Sequence, residues 1–442
     1  MQRRYSWEWV EAQVTETAAL WQDCGSLPAP RGPEYSLKEH EKREKAYDKG
    51  LREVEREARK APKSRDQRLR AQQRTVAAFG RFSAAALDLR EDTIGLLTNE
   101  FLPVGTSLAQ WARRFDPTLS MADIIQACRN AWTACGLQPL LGERVHITPS
   151  ILAYSLLYPY SDNYLDREEV SRDAKLRFSE RFRERLRGED APPANDREAA
   201  LWALVGIVED QYPRERYPQV FDGMLAIHRA QEQSIAQVGS NDRDDSEILR
   251  MSCAKGGSSV LADACMARGW LNDDESRFAF DWGVLLQLGD DLQDVRDDMR
   301  RGSITLFSRA AIEGRPLDDL VKQLLNFSER VGERMETLPH GTPMLKDLLR
   351  MSWRSLIIGA VADSHAYFSP EFLAEAELAS PFRFPFLRAR RERLNSRQGL
   401  YALLFEAFLE GPELDSSGLP SPEAAARNLS ADLVAVEARP AP

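Results

Sequence analysis

The sequence has few of the residues from which common metal and disulfide sites are built. It contains five histidines, none in an HExxH or similar spacing, which argues against a histidine-built zinc site. Its five cysteines form no CxxC pair, and their odd number favours free thiols in a reducing compartment. No stretch approaches the roughly 18 uninterrupted apolar residues of a membrane span, and the first residues lack the apolar core of a signal peptide. These absences predict a cytoplasmic protein without a transmembrane segment.

Basic residues are also in the minority. The 442 residues include 59 Lys and Arg against 69 Asp and Glu, which gives a net charge of −10. A nucleic-acid-binding surface would favour the opposite sign, so we expect no nucleic-acid partner. Hydrophobic residues make up 43% of the chain, which is enough for a large core. Strand patterns are scarce, whereas helical periodicity and helix caps recur along the chain. The sequence therefore predicts an all-α protein.

The chain divides by pattern into three parts. Residues 1–145 are expected to form an N-terminal helical region, in which the charged stretch 38–74 is typical of an exposed helix or a partly disordered arm. Residues 146–410 carry the strongest helix signals and form the expected catalytic domain. Residues 411–442 are too poor in apolar residues to fold alone, which predicts a disordered tail. The segment 381–394 mixes arginines with aromatic residues and has two interpretations, an interfacial helix at a membrane surface or a docking or lid segment.

Two expected helices share one design. Thr148 is a good N-cap before a proline, and it begins a helix expected over 149–169. Asn272 starts a capping-box pattern, and it begins a helix expected over 273–301 that stops at Gly302. Each helix is mainly apolar over several turns and must therefore be buried. Each then carries carboxylates spaced by four residues, which repel one another on one helix face.

Those carboxylates are the candidate metal ligands. Hard oxygen ligands suit Mg²⁺ or Mn²⁺, which would neutralise the repulsion and bridge to phosphate oxygens. A solvated, salt-bridged helix end is the alternative, and Asp297 with Arg301 four residues later fits that description. We expect the aspartates of both helices to face one shared cavity. The candidates are Asp162 and Asp166 on the first helix, and Asp290, Asp291, Asp294 and Asp298 on the second.

Lys255 is the second chemical signal. It is the only lysine between Lys175 and Lys322, and small residues surround it in the segment AKGGSS. Small neighbours allow a bulky anion to approach a helix and also allow two helices to pack closely. The segment therefore indicates either an anion contact or a surface lysine beside a helix kink.

At these positions the sequence resembles a known group of enzymes. The segment QLGDDLQDVRDDMRRGSITL resembles the second aspartate-rich motif of the squalene/phytoene synthase group, through Gln287, the DVRDD core and the following RRG. It also resembles the FQxxDDxxD motif of trans-prenyltransferases. SDNYLD matches the Asp-x-x-x-Asp first motif of the squalene/phytoene group and lacks the adjacent aspartates of chain-elongating prenyltransferases. Lys255 with its glycines resembles the diphosphate-binding lysine segment of prenyltransferases, and the whole resemblance covers about 149–310.

The resemblance implies a class I isoprenoid synthase (terpenoid synthase) fold, an α-helical bundle around a central cavity. It implies an isoprenyl diphosphate substrate and about three Mg²⁺ ions, with Mn²⁺ as an alternative. It assigns catalysis to Asp162, Asp166 and Asp294, and diphosphate binding to Lys255, Arg167, Arg172, Arg300 and Arg301.

Three reactions fit this machinery, and the first is the expected one. A terpene synthase would ionise the diphosphate to a carbocation and form a hydrocarbon or alcohol. Head-to-head condensation and prenyl transfer to an acceptor are the enzymatic alternatives. A non-catalytic helical binding protein that retains the motifs is the alternative from another class, and a homodimer stays open.

Overall fold

The computed structural model describes residues 4–30, 32–60, 62, 64–165, 167, 169–236, 243–409, 418–422 and 424–425, and of residues 162, 235, 236, 403, 407 and 408 it describes the backbone alone. All regular secondary structure in this part of the chain is helical, which confirms the all-α prediction. Among these helices, none has the length and apolar character needed to cross a membrane.

The helices follow one another with short connections. A π-helical turn lies at Leu97–Phe101, between the fourth and fifth α-helices, and a 3₁₀ turn lies at His365–Tyr367, after the seventeenth. In chain order the α-helices are α1 Trp7–Cys24, α2 Leu37–Ala58, α3 Arg65–Ala86, α4 Glu91–Leu96, α5 Leu102–Phe115, α6 Met121–Leu140, α7 Pro149–Tyr160, α8 Asp162–Leu165, α9 Arg172–Arg187, α10 Asp196–Gln211, α11 Pro218–Ala236, α12 Asp245–Arg268, α13 Asp273–Gln293, α14 Val295–Arg301, α15 Leu306–Ile312, α16 Asp318–Glu336, α17 Pro343–Asp363, α18 Pro370–Leu378, α19 Phe384–Ser396 and α20 Gln398–Leu409.

The predicted starts of the two helices are confirmed, but the predicted length of the first one is wrong. The Thr148 hydroxyl accepts a hydrogen bond from the Ile151 amide, as an N-cap should. The helix expected over 149–169 instead ends at Tyr160, and the four-residue α8 follows. Pro159 weakens the last turn of α7, because it has no N–H to donate to the carbonyl four residues back. The helix is therefore interrupted just before the first acidic motif.

The second long helix is also interrupted. Asn272 and Glu275 form the predicted capping box, and Gly302 ends the segment with a left-handed φ of 68°. Between them, Asp294 adopts φ −95° and ψ 7°, which separates α13 from α14. This break places Asp297 and Asp298 in the first turn of a new helix, where the helix dipole favours negative charge, rather than near a C-terminus, where it does not.

Helices α12 and α13 cross at the centre of the molecule. Each helix has a glycine at the point of contact, Gly256 on α12 and Gly283 on α13. A Cβ atom on Gly283 would lie 2.1 Å from the carbonyl oxygen of Gly256. The small residues around Lys255 therefore serve close helix packing, which was one of the two roles expected for them.

The N-terminal region contributes directly to this core. Helix α1 packs against α12, α13 and α16, with Val10, Val14 and Trp21 buried. The Thr17 hydroxyl donates to the buried carboxylate of Asp281 on α13 at 2.6 Å. The N-terminal region is thus part of the wall that holds α12 and α13 in place.

The described residues of the charged stretch 38–74 form most of the α2–α3 pair, whose two helices pack on each other, which favours the helical one of the two predicted alternatives. Its carboxylates pair with arginines of 381–394. Glu44 binds Arg383 at 2.9 Å and Glu55 binds Arg393 at 2.8 Å. The arginines of 381–394 are therefore used within the molecule, which favours the docking interpretation of that segment.

Part of the expected tail also contacts the body. The carbonyl of Pro420 accepts a hydrogen bond from the Trp111 indole at 2.7 Å, and Ala425 is buried. Residues 411–417, 423 and 426–442 lie outside the described part of the chain, so the prediction for them is untested.

Candidate functional site

One cavity brings the second aspartate motif together with Lys255. It has a volume of about 550 Å³ and lies between α6, α7, α9, α11, α12 and α13. Its charged end is formed by Arg129 on α6, Lys255 on α12, Asp290 on α13 and Asp294 at the junction of α13 and α14. The rest of its lining is mixed. It includes the apolar side chains of Leu157, Phe182, Leu186, Met224, Ile227 and Val260 and also uncharged polar side chains such as Asn130 and Ser259. Charged, polar and apolar side chains thus share one space.

Helix α13 carries the aspartates to the charged end. Asp290 and Asp294 are four residues apart, and both line the cavity with exposed side chains. Asp291 is buried and takes another direction. It accepts hydrogen bonds from the Gln287 amide at 2.7 Å and from the Ser252 hydroxyl at 2.9 Å. The predicted row of Asp290 and Asp294 is therefore present, while Asp291 is held between α12 and α13.

The aspartates of this motif raise one another's pKa. The main cause for Asp290 is that the surrounding cavity wall partly removes its carboxyl from water, which raises its pKa to about 6, with the charges of Asp291 and Asp294 acting in the same direction. Burial and the same kind of repulsion raise the pKa of Asp298 to about 7. The pKa values of Asp291 and Asp294 are raised as well, first by burial. This concentration of negative charge is what a divalent cation would relieve.

Two cations face these carboxylates. Lys255 and Arg129 both line the charged end of the cavity, and their charges act on Asp290. Arg129 was missed by the sequence analysis, because it lies in the N-terminal region, outside the stretch to which the resemblance extends. The only indication of Arg129 in the sequence is that this arginine stands in a helix of mostly apolar or small residues.

The other predicted diphosphate ligands lie elsewhere. Arg300 pairs with Asp297 on the protein surface. Arg301 is exposed and influences Asp294 by its charge. Arg167 lines a neighbouring cavity of about 590 Å³ together with Arg197, and Arg172 is exposed at the start of α9. Of the five predicted cations, the structure places Lys255 in the wall of the cavity.

The predicted first motif falls largely outside the described residues. Asp166 is not described, and for Asp162 only the backbone at the start of α8 is given. Tyr158 and Ser161, just before α8, do line the cavity. The approach of the two acidic motifs to each other therefore stays a prediction.

The donor atoms at the charged end suit Mg²⁺ by their chemistry. They are carboxylate oxygens, which magnesium prefers. Their pKa values are raised mainly because the surrounding protein removes them from water, and the neighbouring carboxylates add to the shift. Within the described residues, no three acidic, histidine or cysteine side chains come close enough to hold a metal ion. The α13 carboxylates would thus supply one side of a metal site whose other side depends on the first motif.

Among the other polar side chains that line the cavity, those of Asp263 and His228 are buried and were not predicted. Asp263 on α12 is 4% exposed, and its Oδ1 atom has no hydrogen-bond partner. His228 on α11 is buried, and its Nε2 atom lies 2.8 Å from the carbonyl of Ser179. The sequence did contain an indication of Asp263. It follows Lys255 by two steps of four residues in a helix of small residues, and residues four apart lie near one helix face.

A substitution at Asp298 tests the electrostatics of this end. We expect Asp298→Asn to raise the melting temperature of the metal-free protein by about 2–4 °C at pH 8, and by less at pH 5. The pKa of Asp298 is about 7 in the folded chain and about 3.9 when unfolded. Because folding raises this pKa, the free energy of unfolding decreases as the pH rises from about 4 to about 7. The asparagine variant does not undergo this decrease in the free energy of unfolding. Thermal melts in EDTA measure the resulting difference in melting temperature between the two proteins.

Asp297→Asn is the matched control, since its carboxyl is half exposed and paired with Arg300. It should show no gain at pH 8. Added Mg²⁺ should stabilise the parent protein more than the Asp298→Asn variant at pH 8. Equal changes in melting temperature for Asp298→Asn and Asp297→Asn at both pH values would contradict the electrostatic interpretation.

Comparison with protein-family models, with curated proteins and with solved structures found no match to this chain.

Proposed function

We propose that this protein is a magnesium-dependent class I terpene synthase, which ionises an isoprenyl diphosphate to a carbocation and converts it to a terpene hydrocarbon or alcohol. One observation carries the proposal. Asp290 and Asp294 of the second acidic motif and Lys255 on α12 form the charged end of a cavity whose remaining wall includes a set of apolar side chains, namely those of Leu157, Phe182, Leu186, Met224, Ile227 and Val260. A molecule with a diphosphate at one end and a hydrocarbon chain at the other matches that distribution.

The charged end would bind the diphosphate. Lys255 and Arg129 can donate charge-assisted hydrogen bonds to its oxygens. Asp290 and Asp294 would hold Mg²⁺, together with Asp162 and Asp166 if the first motif faces them. Bound magnesium supplies charge stabilisation for the departing diphosphate.

The apolar side chains of the wall would hold the hydrocarbon chain. Leu157, Ile227 and Val260 offer no nucleophile to a carbocation, so a cation held against them survives long enough to rearrange. The aromatic rings of Tyr154, Tyr158 and Phe182 also line this space and can face positive charge. The shape of this wall would then select the product.

The decisive test is turnover of a panel of geranyl, farnesyl, geranylgeranyl and longer isoprenyl diphosphates with Mg²⁺. We expect release of inorganic diphosphate and an extractable terpene from at least one of them, and no turnover in EDTA. Products that contain two chains would indicate head-to-head condensation instead. Full turnover in EDTA would contradict the proposal, and so would an absence of diphosphate release from every member of the panel.

A further inference from the structure

Asp263 is a buried carboxyl with no evident structural task. It lies on α12 and lines the cavity with 4% of its surface exposed. Its Oδ1 atom has no hydrogen-bond partner, and burial is the one cause that raises its pKa well above the usual range. Burying such a group costs stability unless a partner compensates it. A carboxyl retained in this setting therefore calls for a ligand as its partner.

The position of Asp263 relative to the charged end defines what it could reach. Lys255, Ser259 and Asp263 follow one another at intervals of four residues, and all three line the cavity. Eight residues of α-helix separate Lys255 from Asp263 by about 12 Å along the axis. A molecule whose diphosphate lies at Lys255 would therefore present the far part of its hydrocarbon chain to Asp263.

The surroundings of Asp263 favour its protonated form, because burial raises the pKa of its carboxyl well above the ordinary value. Met224 on α11 and Leu186 on α9 contribute apolar surface to the same cavity. The His228 imidazole also lines this cavity, and its Nε2 atom lies 2.8 Å from the Ser179 carbonyl. The Gly223 backbone packs on Ala262 and so fixes α11 against this part of α12.

We propose that Asp263 is the acid of the inner cavity and donates its proton to a carbon–carbon double bond in the distal part of the bound chain. The proposal rests on the terpene synthase function and adds a second step to it. That step acts on the neutral olefin that forms after loss of the diphosphate. It makes the product a hydrocarbon that has been cyclised or isomerised a second time.

The step balances without a further reactant. The O–H bond of Asp263 breaks, and the π electrons of the double bond form a new C–H bond. A carbocation remains on the adjacent carbon, beside the new carboxylate, and each charge stabilises the other. The carboxylate then takes a proton from a neighbouring carbon, whose C–H electrons form the new double bond. The acid is regenerated, and the hydrocarbon keeps its composition.

Deuterium labelling tests the step in the full-length protein. The enzyme is equilibrated in D₂O and supplied with Mg²⁺ and the isoprenyl diphosphate that it turns over, and the product is analysed by mass spectrometry and NMR. We expect deuterium on a carbon in the distal half of the chain. Asp263→Asn should still release diphosphate at a rate close to that of the parent, but should yield an unlabelled and less cyclised olefin.

Asp263→Leu and Ser258→Ala complete the experiment. Ser258 is buried on the same helix with an unpartnered hydroxyl, and its removal should leave the deuterium label unchanged. Both Asp263 variants should melt at or above the temperature of the parent, because each removes an unpartnered buried carboxyl. Diphosphate release with an unlabelled parent product would overturn this inference and leave the proposed function standing. A lower melting temperature and a parallel loss of diphosphate release in both Asp263 variants would assign Asp263 to the fold and also overturn it.

Discussion

Replacing Asp294 with alanine is expected to lower the rate of diphosphate release by about 100-fold to 1,000-fold, since it removes a carboxylate that would hold the Mg²⁺ needed to stabilise the departing diphosphate. Asp294 lines the charged end of the cavity at the junction of α13 and α14. Its pKa is raised by burial and then by the charge of Asp297, so the folded chain does not depend on its negative charge. The variant should therefore melt close to the parent temperature. Steady-state release of inorganic diphosphate and a thermal melt measure the two quantities.

Asp297→Ala is the control for this prediction. Asp297 is three residues away in sequence, is half exposed, and pairs with Arg300 on the surface. An exposed ion pair of this kind contributes at most about 1 kcal/mol to stability. The control should keep most of its activity. Equal loss of activity in the two variants would mean that both carboxylates, or neither, act in the cavity.

Gly283→Ala is expected to destabilise the protein by about 1–3 kcal/mol, even though alanine favours helices. The new Cβ atom would lie 2.1 Å from the carbonyl oxygen of Gly256, which is a backbone atom and cannot rotate away. Helix α13 would have to move away from α12, and the cavity wall would move with it, since Gly256 and Gly283 both line the cavity. Urea unfolding followed by circular dichroism measures the loss.

Gly359→Ala provides the matched comparison. Gly359 lies within α17, and a Cβ atom there would meet nothing within 4 Å. The substitution restricts the unfolded chain without a clash, so it should stabilise the protein by about 0.4–1 kcal/mol. Destabilisation of similar size at both glycines would show that the α12–α13 contact is looser than the structure indicates.

The sequence determined the helices because helix ends are local. Thr148, Asn272 and Gly302 act on amides or carbonyls within a few residues, so their roles follow from spacing alone. The row of Asp290 and Asp294 follows from the helical repeat in the same way. The break at Asp294 did not follow, because a continuous helix and two short ones satisfy the same apolar pattern.

The tertiary structure decided which charged side chains come into contact. Glu55 and Arg393 are 338 residues apart in the sequence, yet they form an ion pair that fixes 381–394 on α2. Arg129 comes to the aspartates of α13 only because α6 packs on α12. Asp263 looks like any acidic residue in a helix until folding buries it in the wall of the cavity. Periodicity and caps depend on neighbours a few residues away, whereas burial and ion pairing depend on segments that only the folded chain brings together.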